Sequence, residues 1–318
     1  MKALVTGGAG FIGSTLVDRL LDAGHTVEVI DSFVTGSRSN LERAAAHGER
    51  LCVRELDIRS PETIDVVAAS GAEVVFHLAA QADVRVSVTD TLYDAHVNVI
   101  GSLHVIEGAR RGGVRKVVFA SSGGTIYGAP SGDELPIDER APQRPISPYG
   151  VAKKVVNDYL YAYRRLHGLE WTALALANVY GPRQDPHGEA GVVAIFAGLL
   201  LAGRPCTIFG DGKQTRDFVY VDDVAAAFAL AGGAAGDDEI LNIGTGDETS
   251  VNALYEAMAA AAGVTAPPSY APARAGELDR NALDNRKARA VLGWAPQVPI
   301  EQGVRRVLEW FADRPSSR

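Results

Sequence analysis

The chain has 318 residues, 47% of them hydrophobic and 22% charged, with a formal net charge of -8. This size and balance fit a large folded unit with a lobe attached, and the acidic charge argues against a nucleic-acid partner, which would need a basic face. Two distant cysteines, Cys52 and Cys206, exclude a disulfide framework, and the longest apolar run, Val192 to Gly203, is well short of the ~20 residues of a membrane span.

In chain order, Lys2 to Thr6 reads as a strand, Phe11 to Ala23 as a helix and Thr26 to Ile30 as a second strand. Leu51 to Arg54, Val74 to His77 and Val117 to Ala120 are further strands, with helices between them near Leu41 to His47, Pro61 to Ala69 and Thr91 to Arg111. The strand candidates are apolar throughout, as in strands covered on both faces, so the expected fold is α/β with a doubly wound parallel Rossmann sheet. Gly128 to Pro148 is rich in Pro, Gly and charge and reads as a loop; a helix follows from Tyr149 to about His167, then a strand at Trp171 to Leu176. Helices are expected near Val192 to Ala202, Asp222 to Ala231, Val251 to Ala262 and Ile300 to Phe311, and loops at Gly232 to Asp238 and Thr265 to Ala275. Residues 1–177 are expected to form the dinucleotide-binding domain and 178–318 mainly a smaller mixed lobe, with segments near 215–245 returning to the sheet. No targeting segment precedes the first strand, so the expected location is cytoplasmic.

The first strand runs straight into Thr6-Gly7-Gly8-Ala9-Gly10-Phe11-Ile12-Gly13, which opens a helix. Glycines at 7, 10 and 13 allow a tight turn, close approach of N–H groups to a pyrophosphate and close helix packing, while the helix N-terminus adds partial positive charge. A bare βα turn would also use glycine, but here Asp31 ends the next strand, eighteen residues after Gly13. A carboxylate there accepts from ribose hydroxyls and repels the extra phosphate of NADP, so NAD is the expected cofactor. Asp57-Ile58 follows the third strand, where it can meet the adenine, and Leu78-Ala79-Ala80-Gln81 follows the fourth. His77 reads as a packed strand residue, because no partner with metal-ligand spacing stands beside it, and no metal is expected.

Tyr149 and Lys153 lie four residues apart on one helix face. A phenol is a poor base near neutral pH, but an adjacent ammonium and an oxidised nicotinamide favour its phenolate. Such a pair is common on ordinary helix surfaces; its place after five β/α units favours catalysis. With Ser147-Pro148-Tyr149-Gly150-Val151-Ala152-Lys153, the glycine turn, His77-Leu78-Ala79-Ala80, Asn178-Val179-Tyr180-Gly181-Pro182-Arg183, Arg216-Asp217-Phe218-Val219 and Asn242-Ile243-Gly244-Thr245-Gly246 on the page, the chain resembles the extended short-chain dehydrogenases over essentially its whole length, in the NAD-dependent epimerase/dehydratase group and nearest its UDP-glucose 4-epimerases.

The resemblance implies that Tyr149 takes the proton of the sugar 4-hydroxyl and that Lys153 holds the nicotinamide ribose and tunes Tyr149. It implies NAD contacts from Phe11, Ile12, Asp31, Ser32, Phe33, Thr35, Gly36, Asp57, Ile58, Leu78, Ala79, Ala80, Gln81 and Asn98. Asn178, Val193, Thr207, Phe209, Arg216, Arg274 and Glu277 would line the UDP-sugar site, the two arginines near the diphosphate, where planar forks suit phosphate. Outer faces of the helices at Thr91 to Arg111 and Tyr149 to His167 would pair with a second copy in a homodimer.

One position departs from the pattern. Gly123 stands where such epimerases usually carry Ser or Thr, so Ser122, Thr125 or water must relay the proton. If the strip is extended, residues alternate sides and Thr125 is the favoured relay, unless Gly123 and Gly124 bend it. Gly123-Gly124-Thr125 offers no acid, which argues against dehydration or decarboxylation and for 4-epimerisation of a neutral UDP-hexose through a transient 4-keto sugar. The alternatives are 4-epimerisation of UDP-glucuronate, whose carboxylate Arg183 could meet but for Asp185, His187 and Glu189 nearby, or of a UDP-N-acetylhexosamine, with a size-limiting position near Asn281. From another class comes a non-catalytic NAD sensor, which would have no use for Tyr149 beside Lys153.

Overall fold

Strand β1 (Lys2–Thr6) is buried from Ala3 onward and feeds helix α1 (Phe11–Asp22), which packs Leu16, Val17, Leu20 and Leu21 back over the sheet. The computed structural model describes residues 1–130, 134–186, 191–273 and 278–314. The chain continues through β2 (Thr26–Asp31), α2 (Glu42–Ala45), β3 (Leu51–Glu55), α3 (Glu62–Ala69), β4 (Val74–His77), α4 (Val84–Thr89), α5 (Thr91–Ala95), α6 (Ser102–Arg111) and β5 (Lys116–Ser122). Then come α7 (Pro148–His167), β6 (Glu170–Leu176), β7 (Asn178–Tyr180), α8 (Val192–Leu201), β8 (Thr207–Phe209), β9 (Thr215–Arg216), β10 (Phe218–Tyr220) and α9 (Val221–Ala231). The described part ends with β11 (Glu239–Ile243), β12 (Thr249–Ser250), α10 (Val251–Ala262), β13 (Ser269–Ala271), α11 (Arg286–Leu292) and α12 (Ile300–Ala312). No helix among the described residues is long and apolar enough to cross a membrane.

Seven strands form one parallel sheet in the order β3-β2-β1-β4-β5-β6-β11. The strand sequence reverses direction between β1 and β4, the place where doubly wound sheets open a crevice at their carboxyl ends. One face is covered by α1 and α9, with Leu16, Leu20, Val224 and Phe228 in the core; the other by α3, α6 and α7, with Val67, Ile106, Val156 and Leu160. Each such side chain contributes about 1.5–3 kcal/mol on burial. A separate apolar cluster of Phe196, Leu254, Met258, Val304 and Val307 surrounds Tyr180 and is tied to short strand pairs β7–β10 and β8–β13.

The single helix expected from Thr91 to Arg111 is interrupted. Residues His96–Gly101 form a π-helical turn between α5 and α6, and α4 occupies a stretch for which the sequence reading names no element. The widened turn is set by tertiary contact: Gly101 lies so close to Ile58 that a Cβ would come within 2.7 Å of its Cγ1. Wide turns of this kind concentrate at functional sites, and this one carries Asn98.

Candidate functional site

A cavity of about 650 Å³ opens at the carboxyl ends of β1 to β6. Its floor is the glycine turn. Gly7 has φ +71°, open to glycine without strain, and an added Cβ would lie 2.6 Å from Ala79 N. Gly13 packs directly on the Gly7 carbonyl. Gly7, Gly10, Phe11, Ile12 and Gly13 all line the cavity, with the α1 N-terminus facing it.

Asp31 is 7% exposed and lines the same cavity. Its carboxylate accepts from Ala9 N at 2.9 Å and Phe33 N at 2.8 Å. Burial raises its pKa, opposed by the hydrogen bonds from Phe33 and Ala9. Ser32 and Thr35 share the wall; Phe33 and Gly36 do not line it but shape Asp31. Phe33 takes φ 56° to aim its N–H at the carboxylate, and a Cβ on Gly36 would come 2.7 Å from Asp31 Oδ1.

Asp57, Ile58, Leu78, Ala79, Ala80 and Gln81 also reach the cavity. Behind them a polar chain fixes the β4 loop. Ser102 Oγ donates to Asn98 O at 2.6 Å, so it accepts from His77 Nε2 at 2.8 Å; Nδ1 then accepts from Thr6 Oγ1 at 2.7 Å, which accepts from Ala79 N at 3.3 Å. His77 is fully buried and burial pushes its pKa down to about 3, so it stays neutral. Asn98 does not line the cavity: it accepts from Gln81 N at 3.0 Å and donates to Gln81 O at 2.8 Å. It holds the loop from the side away from the cavity.

Arginines at the mouth are absent from the sequence reading. Arg59 and Arg85 line the cavity, each clasped by the aspartate two residues earlier: Arg59 to Asp57 at 2.6 Å and Arg85 to Asp83 at 2.6 Å. These bonds hold both aspartates below the usual carboxylate range. The Asp-x-Arg spacing, which recurs at Asp138/Arg140 and Asp284/Arg286, was the available signal.

At the far wall, Ser147 caps α7 by accepting from Gly150 N at 3.2 Å, and Tyr149 and Lys153 face the cavity one turn apart. Lys153 is 3% exposed; its Nζ donates to Ala120 O at 2.8 Å and lies 5.5 Å from the centre of the Tyr149 ring. Asn157 ties the next turn to Ser121 Oγ at 3.2 Å.

The strip after β5 is not extended, which corrects the alternation on which Thr125 was favoured. Thr125 N and Ile126 N both turn back to Ser122 O, at 3.2 and 3.0 Å. Ser122 ends the strand and lines the cavity; Thr125 does not, and instead abuts Gly150, where a Cβ would meet the Thr125 carbonyl at 2.8 Å.

The residues expected around the sugar nucleotide are spread over the second lobe. Asn178 is exposed at the head of β7, beside cavity-lining Val179, and its N–H donates to Asp217 O at 2.9 Å. Val193 is buried in the lobe core, Thr207 sits exposed on β8 bonded to Ser269 Oγ at 3.0 Å, and Phe209 ends that strand. Arg216 is half-buried, with Nη1 donating to Thr215 O at 2.7 Å. Arg274 and Glu277, like His187 and Glu189, lie outside the described residues. Arg183 does not line the cavity, where the sequence allowed it to meet a carboxylate; its Nη2 pairs instead with Asp18 on α1 at 2.6 Å.

The fold and site together define an enzyme-like dinucleotide cradle with a phenol–ammonium pair across from it. The NAD dependent epimerase/dehydratase family model matches residues 3–244, and the chain belongs to that family. A UDP-glucose 4-epimerase of Mycolicibacterium smegmatis is 50% identical, covering 99% of both chains. The crystal structure of a Thermotoga maritima UDP-glucose 4-epimerase with UDP-glucose superposes with TM-score 0.94 at 45% identity, covering 98% of this chain and 99% of that one. A Thermus thermophilus UDP-glucose 4-epimerase in complex with NAD gives TM-score 0.91 at 42% identity, covering 99% and 100%.

Proposed function

We propose that the chain interconverts the C4 epimers of a neutral UDP-hexose, UDP-glucose and UDP-galactose, with NAD retained throughout. The observation that carries this reading is the meeting, in one cavity, of the glycine cradle and Asp31 with Tyr149, Lys153 and Ser122. The cavity suits NAD: the turn that floors it closes on itself and on the β4 loop only because Gly7 and Gly13 lack side chains, and Asp31 presents an acceptor for ribose hydroxyls. When bound, the nicotinamide supplies reversible hydride acceptance.

The chain's own groups supply the rest. Tyr149 takes the proton from the sugar 4-hydroxyl and returns it after the ring has turned. Lys153, anchored by Ala120 O, places positive charge next to the phenol and reaches the ribose. Ser122, at the cavity wall, carries the hydroxyl between Tyr149 and the sugar oxygen, in preference to Thr125, which does not line the cavity. The diphosphate of the substrate is assigned to Arg216 and Arg274. UDP-glucuronate is disfavoured because Arg183, the cation that could meet its carboxylate, lies outside the cavity lining and leans on Asp18. The test is incubation with UDP-glucose, UDP-galactose, UDP-glucuronate and UDP-N-acetylglucosamine without added cofactor, separating the epimers. Rapid turnover of the neutral hexoses and about one NAD released per denatured chain supports the reading; faster turnover of UDP-glucuronate overturns it.

A homodimer is part of the same proposal. Val88, Leu92 and Ile100 and, on α7, Val151 and Tyr159 are exposed, and α4, α5 and the π-helical turn pack beside α7. Sedimentation at micromolar concentration, repeated for Leu92→Glu, tests it: a monomeric parent chain ends the proposal.

A further inference from the structure

We propose that Leu283 is a positioning residue: it excludes a side chain from position 123 and thereby confines the relay hydroxyl to Ser122. The inference rests on the reading of Ser122 given above. A Cβ built on Gly123 would run into Leu283 Cδ1, lie 3.0 Å from its Cδ2 and 3.1 Å from the carbonyl of Ala175. Gly123 cannot retreat, because its N–H donates to Leu176 O at 2.9 Å, continuing the β5–β6 pairing.

Leu283 cannot easily retreat either. It is fully buried in the cluster that includes Ile126, Tyr127 and Ile137. Its N–H donates to Asp217 Oδ2 at 3.2 Å, and the same carboxylate, 0% exposed, accepts from Thr245 N at 2.8 Å and Gly246 N at 3.1 Å. On either side, Ala282 O accepts from Ile137 N and Asp284 N donates to Ile137 O, both at 2.8 Å. Three segments far apart in sequence thus clamp this leucine against the strip. Interiors are packed too densely to take an added side chain without a neighbour giving way, so position 123 offers no hydroxyl; of the two residues beside it, Gly124 has no side chain and Ser122 lines the cavity, while Ser121 Oγ accepts from Asn157.

The test is a set of variants read by kcat, KM, bound NAD and Tm. Ser122→Ala is expected to lower kcat about 10²-fold with KM and bound NAD kept. In that background Gly123→Ser alone should restore nothing, whereas Gly123→Ser with Leu283→Ala should recover kcat at least tenfold, because the new hydroxyl now has room. In the parent chain, Gly123→Ser and Leu283→Ala should each lower Tm, the latter by roughly 5–10 °C, and the double variant should melt above their additive sum. Rescue by Gly123→Ser alone, no rescue by a folded, NAD-loaded triple variant, or strictly additive Tm values would each overturn the proposal. If Ser122→Ala keeps full turnover, the Ser122 assignment falls, and the Tm cycle alone then decides whether Leu283 guards position 123.

Discussion

The two walls of the cavity are built differently. The cofactor wall is made by contiguous pieces, each at the end of a strand, and its demands fall on the backbone: Gly7 at positive φ, Gly13 on the Gly7 carbonyl, Gly36 under the Asp31 carboxylate. The far side is backed by residues that meet only in three dimensions, such as Gly123 with Leu283 behind the strip or, beyond the cavity lining, Asp18 with Arg183. A wall made of backbone geometry tolerates almost no change at a few positions, while a wall made of packed side chains can be re-cut by compensating pairs.

The largest expected effect sharpens that contrast on the chemistry itself. Tyr149→Phe should lower turnover by about 10²–10⁴-fold while NAD still co-purifies, measured by steady-state epimerisation and by nucleotide release on denaturation. Loss of NAD together with activity would mean that Tyr149 serves the cofactor wall. Lys153→Met should reduce both, since its Nζ is buried between Ala120 and the Tyr149 ring.

On the cofactor wall, Asp31→Ser removes the ribose acceptor and the repulsion toward a 2′-phosphate. NAD affinity should fall by about one order of magnitude, on the scale of one lost charged hydrogen bond, and NADP should gain relative to NAD. Unchanged preference in a titration would place the ribose elsewhere. Asp31 also gives a pH sign. Because burial raises its pKa in the cofactor-free chain, it takes up a proton on acidification sooner than an ordinary aspartate and loses an acceptor site. NAD binding should therefore weaken as pH falls through that raised value, and a flat Kd down to pH 4 contradicts it.

The smallest effect tests whether the walls are independent. Arg183 sits at φ 71°, a conformation that costs a non-glycine residue on the order of 1–3 kcal/mol, and its ion pair joins the loop after β7 to α1. Arg183→Lys keeps the charge and loses the fork. A few-fold rise in KM for the UDP-sugar with kcat and NAD content nearly unchanged is expected; an equal loss of NAD would show that α1 and the sugar loop act as one body.

Legibility in the sequence follows the same division. Gly7, Gly10, Gly13 and Asp31 are readable because backbone geometry leaves few residue types that work at fixed spacing. Tyr149 and Lys153 are readable because helical periodicity puts positions four apart together. Ser122 was not separable from Thr125, since the choice depends on whether the chain turns after Ser122, and that turn is closed by the carbonyls of Ser122 and Leu176, the latter on a neighbouring strand. The engagement of Arg183 was hidden for the same reason, its partner lying 165 residues away. Helix α4 is not legible because Val84–Thr89 is only six residues long and sets Val84, Val86 and Val88, with Ser87 and Thr89, where strong helix formers would mark a helix.

The π-helical turn at His96–Gly101 has a consequence for how the chain can vary. Such a turn is one residue of surplus stored in a helix. Upstream of it, positions follow one angular phase; downstream, they follow another, offset by about 100°. Asn98 faces the Gln81 loop and Ile100 faces outward because they sit within that phase slip. Deleting Val99 would take out that surplus and let a regular helix close with the downstream residues keeping the orientation they have, so the change would fall on the turn itself and on the hold of Asn98 on the Gln81 loop. The surplus residue is a local allowance, spent on one contact without disturbing the packing of α6 beyond it.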